Sequence, residues 1–163
     1  MGKTATYESS TLSLKVKVAD AKCGLSEVDN AQFDDDWDGM DDAEMNKPYE
    51  APKGKELCAI TLTIKNVADD PAEPPYPAGD LTLEDGTTHS RSVEDEIASD
   101  TATDSLTEDA YDGPSYDPLN PGDTRDYMYV VSVPKGAKAV SLSYPDENHV
   151  LKVTQDPLEL LLS

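Results

Sequence analysis

Between Asp34 and Asp42 the acids of this chain fall at the spacing of a metal-binding loop. Asp34-Asp35-Asp36-Trp37-Asp38-Gly39-Met40-Asp41-Asp42 reads D-x-D-x-D-G-x-x-D. A calcium loop sets oxygens at its first, third, fifth, seventh and ninth places, with Gly at the sixth for the sharp turn. In that register Asp34, Asp36 and Asp38 supply carboxylates. Met40 offers its backbone carbonyl, and Asp42 a direct or water-bridged oxygen. The twelfth place calls for a bidentate acid but holds Met45, with Glu44 one residue early. A calcium ion on Asp34, Asp36, Asp38, Met40, Asp42 and Glu44 would bind weakly, with Kd on the order of 0.1–1 mM as in extracellular modules. The plain alternative is a solvated acidic loop. Calcium is the only cofactor these residues suggest.

Trp37 lies inside that loop, as an exposed binding anchor or a side chain folded back on the core. A second acidic stretch, residues 93–117, has no Lys or Arg and interleaves Tyr111 and Tyr116. Tyrosines among acids, Gly and Ser make a protein-recognition surface for a basic partner, or else a solvated loop. The two histidines, His89 and His149, have no nucleophile elbow, triad order or oxyanion hole around them, and surface positions are expected. Acids at this density carry no spacing information, so no carboxylate pair marks a glycosidase. The expectation is a protein that is not an enzyme.

The formal charge is −21, with 34 Asp+Glu against 13 Lys+Arg. That excludes the basic face nucleic-acid binding requires, and attraction to anionic membranes. It favours cations, basic partners or plain solubility. No run of 18 apolar residues is present, so no direct membrane insertion is expected. Met1-Gly2-Lys3-Thr4 reads as a start standing in place of a removed leader. Met1-Gly2 with Thr6 also fits the short myristoylation pattern.

These residues must be carried by strands. Leu12, Leu14, Val16 and Val18 alternate with polar residues, predicting a half-buried strand that turns near Asp20, with a second short strand over residues 21–28. Leu57 to Asn66 is the clearest strand. Cys58, Ile60, Leu62 and Ile64 share its core face, and Ala59, Thr61, Thr63 and Lys65 face water. Leu81 and Leu83 lead into an Asp85-Gly86 hairpin turn, with Thr87 to Ser92 as the partner. Tyr127, Tyr129, Val131 and Val133 mark a further long strand. Val140, Leu142 and Tyr144, and then Val150 to Val153, mark two more. Val93 to Ala98 is expected to make one helical turn and no long helix is expected. Residues 1–10 are expected to be flexible, residues 11–163 to form a single domain, and the apolar residues 157–163 to pack on its edge.

Cys23 follows one strand and Cys58 sits inside another. One bridge is expected between them, which implies an oxidising compartment; two buried thiols are the alternative.

Four short motifs occur in a set order: Lys53-Gly54-Lys55 into a strand ending Ile64-Lys65-Asn66; Leu81-Thr82-Leu83-Glu84-Asp85-Gly86; Leu119-Asn120-Pro121-Gly122-Asp123-Thr124; and Val131-Ser132-Val133-Pro134-Lys135-Gly136-Ala137. Over roughly residues 50–155 the chain resembles a family of secreted immunoglobulin-like domains of unknown function. Many are bacterial lipoproteins, and a mycobacterial secreted immunogenic antigen typifies them. The resemblance implies an exported sandwich, often tethered by an N-terminal lipid, and supplies no catalytic residues. The chain departs from it by two acidic insertions, residues 29–54 and 93–117. The expected fold is therefore all-β, an antiparallel immunoglobulin-like β-sandwich with two long acidic loop insertions. The expected role is a secreted or envelope-anchored module whose acidic loops meet a basic protein. A calcium-stabilised structural or adhesive module is the alternative.

Overall fold

The computed structural model of the chain describes residues 5–8, 13–28, 48–74, 79–106, 118–144 and 150–153. Its strands are β1 (Ala5–Glu8), β2 (Ser13–Leu25), β3 (Glu27–Val28), β4 (Tyr49–Glu50), β5 (Lys55–Asn66), β6 (Leu81–Leu83), β7 (Thr88–His89), β8 (Thr124–Pro134), β9 (Ala139–Ser143) and β10 (Val150–Lys152). Among the described residues one helix, α1 (Val93–Ser105), stands between β7 and β8. Two four-stranded sheets, in the orders β1-β2-β5-β8 and β10-β9-β6-β7, form an antiparallel sandwich. With β1 and the β3–β4 pair set aside, seven strands remain. Their first, second and fifth members share one sheet; the seventh, sixth, third and fourth share the other. This is the immunoglobulin arrangement with the fourth strand moved across from its constant-type sheet.

Period-two patterning builds the core. Leu14, Val16 and Val18 of β2, Ile60, Leu62 and Ile64 of β5, and Tyr129, Val131 and Val133 of β8 all point inward. They meet Leu81, Leu83, Leu142 and Leu151 of the facing sheet. Burying each such aliphatic contributes about 1.5–3 kcal/mol. The Asp85-Gly86 turn forms as expected, with the Gly86 amide donating to the Leu83 carbonyl at 2.9 Å.

Several expectations are corrected. The chain does not turn at Asp20: β2 runs on to Leu25, with a register irregularity between Val18 and Asp20. A bulge of this kind resets the alternation, so Ala21 and Cys23 now face the core. Ala5–Glu8, expected to be loose, pairs with β2. The hairpin partner of β6 is no longer than Thr88–His89, because Ser92 already begins the helix. The helix itself has 13 residues, not one turn. The outer face of β5 is not all solvated either: Leu57 is buried beneath the helix with Val28, Ala98, Ala102 and Val130. Residues 157–163 lie outside the described residues.

The Cys23–Cys58 disulfide joins neighbouring strands β2 and β5, closing 35 residues of chain. Such a loop stabilises by roughly 3–4 kcal/mol on the chain-entropy model. Buried Asn66 ties the two crossing connections together. Its side-chain amide donates to the carbonyls of Asp70 and Leu119, both at 2.8 Å. Its backbone carbonyl accepts from Gly122, and its amide donates to Asp123.

Candidate interaction surface

Strand β8 ends its sheet, so its outer backbone groups need partners. The helix supplies them from side chains. Asp95, Ser99 and Thr103, one per turn, lie along this edge. Asp95 Oδ2 accepts from the Ser132 amide and the Ser132 hydroxyl, both at 3.1 Å. Ser99 Oγ accepts from the Val130 amide at 2.8 Å. Thr103 Oγ1 accepts from the Met128 amide at 2.9 Å. The hydroxyl protons turn back into the helix, Ser99 to the Asp95 carbonyl and Thr103 to the Ser99 carbonyl, each at 2.7 Å. Four helical residues rise about 6 Å and two strand residues about 6.7 Å, so the periods nearly match over three contacts. Ala98 and Ala102 let the helix come this close.

The helix starts where it does because Ser92 and Asp95 cap each other. The Asp95 amide donates to Ser92 Oγ at 3.1 Å, and the Ser92 amide to Asp95 Oδ2 at 3.0 Å. Glu94, Asp95 and Glu96 in the first turn suit the positive end of the dipole. Asp95 is fully buried and accepts one more bond, from the Tyr49 hydroxyl at 2.9 Å. Burial, then the bond to Asp95, pushes the Tyr49 phenol up from 10.0 to about 12.

Beside this seam the outer faces of β2 and β5 form a groove of about 370 Å³. Leu25, Val28, Ala59, Ala102 and Met128 give it an apolar floor, and Asp20, Lys22 and Glu27 a charged rim. Lys22 Nζ and Asp20 Oδ2 pair at 3.1 Å, exposed to solvent, which contributes little. Val28, which precedes residues 29–47, lines this groove and pairs with Tyr49, which follows them. Ala102, which also lines it, stands five residues before residue 107.

The chain is similar in fold to two bacterial proteins of known structure. One is an uncharacterized beta-sandwich protein from Clostridium difficile 630, at 14% identity and a TM-score of 0.50, over 90% of this chain and 86% of that one. The other is a conserved hypothetical protein from Bacillus anthracis, at 13% identity and a TM-score of 0.51, over 98% of this chain and 93% of that one. At these identities the likeness shows the sandwich fold alone. No protein-family model and no curated protein matches the chain.

Of the residues singled out in the sequence, Cys23 and Cys58 are brought together in the expected bridge. Asp34, Asp36, Asp38, Met40, Asp42 and Glu44 lie outside the described residues, as do Trp37, Tyr111, Tyr116 and His149. Among the described residues no group of His, Cys, Asp and Glu is disposed to hold a metal ion. Among them, too, no helix is long and apolar enough to cross a membrane. His89 is half-buried and sits 3.3 Å from Thr87 Oγ1. That hydroxyl donates its proton to Asp85 at 2.6 Å, so it has none to give His89. The Thr87 hydroxyl and amide hold the Asp85 carboxyl below its usual value.

Sequence reasoning missed the seam. Its one signal was Ser92-Val93-Glu94-Asp95, a capping-box spacing at the head of the stretch where a single helical turn is expected.

Proposed function

We propose that this protein is a non-catalytic, extracytoplasmic binding module that meets a basic protein surface through its two acidic stretches. The observation that carries this reading is the net charge of −21, together with Val28 and Ala102, the groove residues nearest in sequence to the two acidic stretches. An excess of acids steers a cationic partner towards the protein. Trp37, Tyr111 and Tyr116 are the aromatic contacts such a surface would use. The disulfide supports an oxidising compartment, and the resemblance to secreted immunoglobulin-like domains supports a secreted or envelope-anchored protein.

The test is retention of a partner from the native secretome at about 50 mM salt and its release at about 500 mM, where screening is short-ranged. Neutralising Asp34, Asp36, Asp38 and Asp42 to Asn should weaken retention. Recovery of no salt-sensitive partner at low salt would sink the proposal.

The D-x-D-x-D-G-x-x-D spacing favours a second reading, a calcium-stabilised module of the envelope. Calcium at tenfold excess over Kd should then add about 1.4 kcal/mol, read as a rise in Tm that chelator reverses. An unchanged Tm would remove calcium as a structural element.

A further inference from the structure

Helix α1 carries its largest apolar side chains on the wrong side for a helix lying against a sheet. Val93 and Ile97 are 68% and 59% exposed. The side turned to β8 is made of Asp95, Ala98, Ser99, Ala102 and Thr103. A surface helix ordinarily puts its branched aliphatics on the buried side. Here the seam holds the helix by hydrogen bonds to backbone, so the aliphatics are not needed for its attachment.

The exposed pair has a charged border. At about 100° per residue, Ile97 falls about 40° from Val93, with Glu94 on one flank and Glu96 on the other. Both glutamates are exposed, and the helix has no base anywhere along it. An apolar centre with a charged rim is the anatomy of a contact patch. Three successive turns pinned to β8 present that patch on a fixed support, which lowers the ordering cost of binding.

We infer that Val93 and Ile97 are the apolar anchor of the docking surface, and that the partner surface that fits them is an apolar face bordered by Lys or Arg. The inference rests on the reading of the protein as a binder of basic surfaces. Charge complementarity selects this partner: an acidic border would meet Glu94 and Glu96 with like charge.

Two synthetic helical peptides of equal length and lysine content test it, one with leucines along its second face and the other with serines. Titrated against the full chain at about 150 mM salt, the leucine peptide should bind about tenfold tighter or better. The double substitution Val93→Ser and Ile97→Ser should abolish that preference and leave the serine peptide's affinity unchanged. Val93→Leu with Ile97→Leu should keep it. A preference that survives the serine double variant, or that is absent from the wild type, overturns the anchor while the binding of basic surfaces stands. If neither peptide binds in a salt-sensitive way, the binding of basic surfaces fails, and the anchor with it.

Discussion

The inner face of β8 and its outer edge are held by opposite means. Inward, Tyr129, Val131 and Val133 pack on the aliphatics of both sheets, where attraction is non-directional and follows buried area. Along the edge, Met128, Val130 and Ser132 are held by Thr103, Ser99 and Asp95 through bonds that each fix a donor and an acceptor. A dry core tolerates exchanges of similar volume; a seam of this kind does not tolerate the loss of one acceptor, because a buried amide is then stranded. The contrast also explains the helix's composition. Attachment by polar side chains leaves Val93 and Ile97 free to face outward.

The contrast breaks most sharply with paired substitutions. Ile60→Ala on the core side of β5 should cost about 4 kcal/mol in denaturant unfolding. Asp95→Ala should cost about 3 kcal/mol, although it removes little apolar area, because it strands the Ser132 and Ser92 amides and leaves the Tyr49 hydroxyl without its acceptor. Amide exchange tells the two apart. Asp95→Ala should speed exchange at Met128, Val130 and Ser132 and spare the β2–β5 ladder; Ile60→Ala should speed both. A cost below about 1 kcal/mol for Asp95→Ala would mean that the seam is decoration.

Smaller substitutions sharpen the same point. Ser99→Ala should cost about 1–2 kcal/mol through the stranded Val130 amide. Thr103→Val keeps the shape and adds apolar surface, yet should still cost about 1 kcal/mol, since the Met128 amide loses its acceptor. A stabilising Thr103→Val, measured by denaturant midpoint, would show that packing governs the seam after all.

The strands were legible where one face repeats every second residue, as from Cys58 to Ile64 and from Tyr129 to Val133. The bridge was legible from the places of Cys23 and Cys58 relative to those strands. The bulge after Val18 was not, because one extra residue changes the facing of everything after it and leaves no mark in composition. Beyond its first turn the helix was not, because periodicity searches look for an apolar stripe, and its buried stripe is Asp95, Ala98, Ser99, Ala102 and Thr103. The edge it covers exists only once β8 has been placed last in its sheet, which is a fact of topology and not of local sequence. Asn66 gave no warning of its burial for the same reason: the carbonyls it serves, on Asp70 and Leu119, come together only in the folded chain.

Tyr49 gives the finest test, because it reaches the seam from β4 and reports on it through a proton. Its hydroxyl donates to Asp95 Oδ1 at 2.9 Å, and its phenol is pushed up from 10.0 to about 12, first by burial and then by that bond. Between pH 10 and 12 the folded chain keeps a proton that the unfolded chain has lost. Tyr49 therefore contributes its full stabilisation below pH 10, and that contribution falls as pH rises through the window. Tyr49→Phe should cost about 1 kcal/mol at pH 7, the net worth of one hydrogen bond. Tyr127 and Tyr129, also raised by burial, titrate alike in both proteins and cancel in the difference. The wild type's advantage over the variant should then shrink steadily as pH climbs above 10. A gap that stays constant across that range would show that Tyr49 does not bond to Asp95, and that the seam ends at Ser132.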